Sequence, residues 1–152
     1  MSTPTARLAE LGLTIPEVAK PVAAYIPAIR SGNHVYTSGQ LPMRDGQLMY
    51  VGKVGGEISP EEAVECAQQC ALNALAAIQA EVGSLDAVKR IVKVVCFVAS
   101  TPDFTGQPQV ANGVSELLGD VFGEAGRHAR SAVGVPVLPL DAPVEVELLV
   151  EV

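Results

Sequence analysis

The sequence predicts an α+β fold: a mixed sheet carrying two helices on one face. Three observations lead there. Two stretches space their apolar residues at three and four, the period of a helix. Val-rich segments stand before, between and after them, so helices and strands share one layered core. The closing stretch largely alternates apolar and acidic side chains, as a strand buried on one face does.

The elements follow in chain order. Pro4 to Leu13 carries Leu8, Leu11 and Leu13 around Arg7 and Glu10 and reads as a short surface helix. Pro16, Pro21 and Pro27 then exclude a long helix, because proline lacks the amide hydrogen and its ring clashes with the preceding turn. Val22 to Ile29 and His34 to Ser38 read as two strands joined by Arg30-Ser31-Gly32-Asn33. Met43 to Val54 reads as a glycine-rich loop with a third short strand at Leu48 to Val51.

Ser59-Pro60-Glu61-Glu62 is a capping box: Ser at the cap, Pro at the first helical position, Glu three after the cap. The helix it opens places Ala63, Ala67, Cys70, Ala71, Ala74 and Ile78 on one stripe, and Gly83 is its expected stop. That stripe is flat and suits close packing on a sheet. Ile91 to Ala99 reads as a central strand. Gln107 to Phe122 is a second helix, with Val110, Val114, Leu117, Leu118, Val121 and Phe122 on its inner face, ended by Gly123 and Gly126. Arg130 to Val135 is a short strand and Pro136 to Pro143 a proline-punctuated connection. Val144 to Val152 is the last strand.

One domain over residues 1–152 is expected, with residues 1–20 as an N-terminal extension. The sheet face opposite the helices needs cover, and no third helix of comparable length exists to supply it. A symmetric oligomer is the simplest cover.

Composition narrows the function classes. The chain holds 22 Val and 20 Ala among 152 residues, with 4% aromatic residues and no Trp. Mean hydropathy is +0.32. Yet no run reaches the ~18 apolar residues of a spanning helix. No signal-peptide pattern is visible, and a cytoplasmic protein is expected. Net charge is −7, from 17 acidic and 10 basic residues, and Lys and Arg do not cluster, so nucleic acid is not an expected partner. Cys66, Cys70 and Cys96 read as reduced, buried thiols. No ligand set for a metal and no dinucleotide fingerprint is present. Gly52-Lys53-Val54-Gly55-Gly56 lacks phosphate-loop spacing and reads as a mobile turn.

A few residues stand out as candidates for chemistry. In a strand over Arg130 to Val135, the face-mates of Arg130 are Ala132 and Gly134, which leave space beside the guanidinium. That suits a carboxylate held by two parallel hydrogen bonds. A surface arginine paired with a nearby Glu fits the same residues. Glu145 and Glu147 share the polar face of the last strand, as solvated carboxylates or, if buried by a partner, as proton carriers. Tyr25 fits core packing, Asn112 fits hydrogen bonding within helix or loop, and His128 fits a strand entry better than a base.

Two separated motifs resemble a known family. Ala129-Arg130-Ser131-x-Val133-x-Val135-x-x-Leu138-Pro139-x-Asp141-x-x-Val144-Glu145-Val146-Glu147 is similar to the C-terminal signature of the reactive intermediate deaminase family, also called YjgF or L-PSP endoribonuclease. Thr37-Ser38-Gly39-Gln40-Leu41-Pro42 resembles its N-terminal signature. Tyr25 has the spacing of the family's pocket tyrosine. Asn112 followed by Glu116 resembles the start of its second helix. The resemblance spans most of Val22 to Val152 in the right order.

The resemblance implies a chorismate-mutase-like fold in a homotrimer with pockets between subunits. It implies hydrolysis of 2-imino or enamine acids to 2-keto acids and ammonia, with no cofactor and with a small-molecule carboxylate as substrate. Arg130 would bind the substrate carboxylate, and Glu145 would orient water or transfer a proton. Tyr25, Ser38, Gly39, Asn112 and Ala132 would line or support the pocket. Ala132 stands where members often carry cysteine, and His128 replaces a proline. The N-terminal segment and the loop from Met43 to Ser59 are longer. These departures touch the pocket rim and suggest a divergent subgroup. Two rivals remain: an endoribonuclease or translation inhibitor, and a non-catalytic binder of a small carboxylate metabolite.

Overall fold

The computed structural model describes residues 2–21 and 23–152. Helix α1 spans Pro4–Glu10, strand β1 Ala28–Ser31, β2 His34–Thr37, β3 Met43–Arg44 and β4 Gln47–Leu48. Then come α2 at Pro60–Val82, β5 at Arg90–Ala99, α3 at Gln107–Phe122, β6 at Ala129–Val135 and β7 at Val144–Glu151. Five strands form one sheet in the order β1-β2-β7-β5-β6, antiparallel except for the parallel pair β5 and β6. The parallel pair needs a crossover, and α3 supplies it. The mixed α+β expectation holds. No helix among the described residues is long and apolar enough to cross a membrane.

Local chemistry sets each long element. At the start of α2 the Ser59 side chain accepts from Glu62 N, and the Glu62 carboxylate accepts from Ser59 N, so the capping box forms as read. Such a cap contributes about 1 kcal/mol. Gly83 ends α2 at φ +91°, a backbone region that glycine enters without a Cβ clash. Ala63, Ala67, Cys70, Ala71, Ala74 and Ile78 are all buried. Helix α3 approaches α2 closely because Gly113 has no side chain: a Cβ there would lie 2.8 Å from Val64 O.

The helices cover the sheet face formed by Val35, Val94, Cys96, Val98, Val144, Val146, Leu148 and Val150, all buried. The opposite face holds Ile29, Tyr36 and Val133, which are exposed, and Phe97, Val95 and Leu149, which are half-buried. Among the described residues no helix covers that face. The three cysteines are free and buried. Burial pushes the Cys66 and Cys96 thiols up to about 12, and Cys70 rises for the same reason.

Three readings of the early chain are corrected. The first strand begins at Ala28, not near Val22, which lies outside the described residues; Ala28–Ser31 pairs with His34–Thr37 around the two-residue turn Gly32-Asn33. Residues 23–25 bend, with Tyr25 N donating to Ala23 O at 3.0 Å, so the ladder starts only at Ala28, and β1 runs on into Arg30 and Ser31. The third strand is a small hairpin, β3 with β4, reversing at Asp45 and Gly46 with φ of +54° and +79°. The segment from Gly52 to Gly56 is not a loose turn. Val54 is fully buried, donates to Ala99 O at 2.8 Å and accepts from Thr101 N at 3.0 Å.

Candidate active site

Sheet register determines where the candidate residues go. Arg130 lies across from Val94, and Leu148 lies across from the same Val94, so Arg130 belongs to the helix-covered face. Glu145 lies across from Phe97, as does Val133, so Glu145 belongs to the open face. Paired residues in a ladder point to the same side. Within one chain the two groups therefore face opposite ways.

Around Glu145 a cavity of about 420 Å³ opens, lined by Tyr25, Ser38, Gly39, Pro139 and Glu145 among others. Backbone bonds between Gln40 and Val146, 2.7 and 3.0 Å, run the segment after β2 alongside β7. This brings Gly39 against Glu145: a Cβ on Gly39 would come within 2.1 Å of Glu145 Oε1. Only glycine lets the carboxylate sit there. The Ser38 hydroxyl donates to Ile26 O at 2.5 Å, and Ser38 N donates to Pro27 O at 2.8 Å, which ties the Tyr25 segment to the cavity wall. Burial, then the charge of Glu147, hold the Glu145 carboxyl above its ordinary range. Such a group carries a proton closer to neutrality than a solvated glutamate does.

The wall at Pro139 is held from outside. Leu140 and Asp141 take φ of +59° and +58°, unusual for residues with a Cβ. The Lys53 ammonium pairs with the Asp141 carboxylate, and Gly52 N donates to Asp141 O at 2.9 Å. The pinned segment around Val54 thus fixes the turn that carries Pro139.

Arg130 anchors on α3. Its Nη1 donates to Asn112 Oδ1 at 2.8 Å and to Ser115 Oγ at 3.1 Å, and Nη2 reaches Pro108 O at 3.4 Å. A guanidinium has five donors. Among the described residues three are used. The two left, on Nε and on Nη2, are the neighbouring pair that meets a carboxylate side-on. Ala132 is half-buried two residues along β6, across from Cys96.

The seven candidates thus fall into two groups. Tyr25, Ser38, Gly39 and Glu145 share one cavity. Arg130 and Asn112 share a hydrogen bond, and Ala132 follows Arg130 on the same strand face. Ser115 and Pro139 were not singled out from sequence. Ser115 lies three after Asn112, one helical turn along the same face, and that spacing is the signal that could have found it.

The whole chain is similar to known proteins. The family model described as "YjgF/chorismate mutase-like, putative endoribonuclease" matches residues 5–152. Protein TCP17 of Trypanosoma cruzi is 46% identical over 147 residues, covering 96% of this chain and 92% of that protein. A 2-iminobutanoate/2-iminopropanoate deaminase of Dermatophagoides farinae is 33% identical over 140 residues, covering 91% and 93%. The crystal structure of protein Atu1372 from Agrobacterium tumefaciens superposes with a TM-score of 0.91 at 44% identity, covering 99% of this chain and 93% of that one. Matches of this extent mean that the chain belongs to the YjgF/chorismate mutase-like family.

Proposed function

We propose that the protein hydrolyses 2-imino or 2-enamino acids to 2-keto acids and ammonia. Its working form would be a homotrimer in which Arg130 of one subunit meets the Glu145 cavity of the next. The observation that carries this reading is the donor arrangement at Arg130: a guanidinium held by Asn112 and Ser115 with a side-on pair of donors unused. That pair fits the carboxylate that every 2-imino acid carries. The similarity to a named iminobutanoate/iminopropanoate deaminase supports the substrate class.

The chemistry asks little of the protein. An enamine first takes a proton at C3 to become the imine. Water then attacks C2 of the protonated imine and loses a proton to the Glu145 carboxylate. The carbinolamine receives that proton on nitrogen, the C–N bond breaks as the hydroxyl oxygen forms the C=O bond, and the hydroxyl proton passes to the departing ammonia, so that ammonium and the keto acid leave. Glu145 ends as it began. Its raised affinity for protons suits both the acceptor and the donor step. Arg130 fixes the carboxylate so that C2 lies over the held water, and positioning supplies most of the acceleration. The net charge of −7 disfavours a polyanionic substrate such as RNA.

The test is keto-acid release from 2-iminopropanoate generated by an amino-acid oxidase. The wild type is expected to accelerate it, and Arg130→Ala to lower kcat/KM by about a hundredfold, the size of a lost charge-assisted carboxylate contact. Equal rates for both would reject the assignment.

A further inference from the structure

Behind Arg130 runs a hydrogen-bonded chain whose donors can be assigned for a neutral His128 ring. His128 Nδ1 lies 2.6 Å from Gly126 O. A carbonyl oxygen only accepts, so Nδ1 carries the hydrogen. In the neutral ring Nε2 is then an acceptor. It lies 2.8 Å from Ser115 Oγ, so the Ser115 hydroxyl donates to it. The lone pairs of Oγ are thereby turned toward Arg130 Nη1, 3.1 Å away, which can only donate. The remaining hydrogen of Nη1 goes to Asn112 Oδ1.

The origin of the chain is fixed by packing. Gly126 is buried, and a Cβ on it would come within 2.4 Å of Leu118 O. The backbone at Gly126 is therefore packed against Leu118 and Gly119 of α3, and its carbonyl oxygen meets His128 Nδ1. Asn112 and Ser115 stand one turn apart on α3, so two acceptors on a rigid helix define the plane of the guanidinium. A hydroxyl alone can rotate. The imidazole removes that freedom.

We propose that Ser115 and His128 are positioning residues that set the plane of the Arg130 guanidinium and so aim its free Nε and Nη2 donors at the substrate carboxylate. The proposal rests on the reading of Arg130 as the carboxylate clamp. Neither side chain touches substrate. Their loss acts on how well Arg130 is aimed, and carboxylate binding is present in both ground state and transition state. KM therefore carries the effect.

The test combines kinetics with a spectroscopic readout. Ser115→Ala and His128→Phe are expected to raise KM for 2-iminopropanoate about tenfold, the worth of one hydrogen bond to a charged group, with kcat within about twofold. His128→Gln, whose amide oxygen can accept from Ser115, is expected to recover KM to within about threefold. A variant that merely misfolds in part would lose kcat per mole with KM unchanged, and that pattern would overturn the proposal. So would a KM for His128→Phe equal to wild type. Long-range 15N–1H spectra of the wild type at pH 8 are expected to show His128 protonated on Nδ1. Protonation on Nε2 would reverse the chain and overturn the proposal with no reference to activity. An Nδ1-protonated ring in a protein inactive on every imine would instead reject the deaminase reading and leave the chain standing.

Discussion

Arg130 and Glu145 point to opposite faces of one sheet, two strands apart in the order β7-β5-β6. A single chain cannot bring them to one ligand. The open face beside Glu145 also carries the exposed side chains Ile29, Tyr36 and Val133, which a soluble monomer would leave in water. The proposed neighbouring subunit would solve both problems at once. Light scattering is expected to give about three times the 15.8 kDa chain mass, and a stable monomer would remove the shared site.

Gly39 tests the Glu145 position by itself. A methyl group there would overlap Oε1, with the Cβ only 2.1 Å away, so Gly39→Ala must push the carboxylate aside. A displacement of about 1 Å can cost about a hundredfold in rate. Gly39→Ala is expected to lose that much kcat while keeping the wild-type circular dichroism spectrum and oligomer mass. Unchanged kcat would mean that Glu145 does not act where this cavity holds it.

The raised proton affinity of Glu145 has a definite sign for stability. The folded state binds this proton more tightly than the unfolded chain, so stability from this group falls as pH rises through the window between the ordinary glutamate value and the raised one. Glu145→Gln removes the penalty. At fixed protein concentration its urea midpoint is expected to exceed that of the wild type at pH 8 and to approach it at pH 4. A gain confined to low pH would mean that the native site favours the ionised carboxylate.

Much of this architecture was legible before any coordinates. Ser59 and Glu62 mark the start of α2, Gly83 its end, and the Ala stripe its buried side, because each depends on residues within one or two turns. Alternation along Val144 to Val150 likewise gives the buried side of β7. The failures have physical causes too. Residues 23–25 bend where the sequence reads as a strand, and no local pattern tells an apolar segment with a ladder partner from one without. The hairpin at Asp45-Gly46 did have a local signal, since that pair favours the positive φ of a tight turn. Side-chain parity along β6 put Arg130 with Ala132, and along β7 put Glu145 with Glu147. Which face each pair occupied needed the register against β5, a contact over tens of residues. The same distance hid the Lys53–Asp141 pair, 88 residues apart. The split of the candidates into two half-sites was therefore beyond local reading.

The most direct test of a shared site is complementation between two inactive variants. Arg130→Ala and Glu145→Gln, co-expressed with different tags and purified through both, are expected to form trimers that contain each variant. Any ring of three with both types has one junction where an intact Arg130 meets an intact Glu145. Such trimers are expected to turn over 2-iminopropanoate at about one third of the wild-type rate, against near-background rates for either variant alone. Mixed trimers no more active than the separate variants would contradict a site built from two subunits.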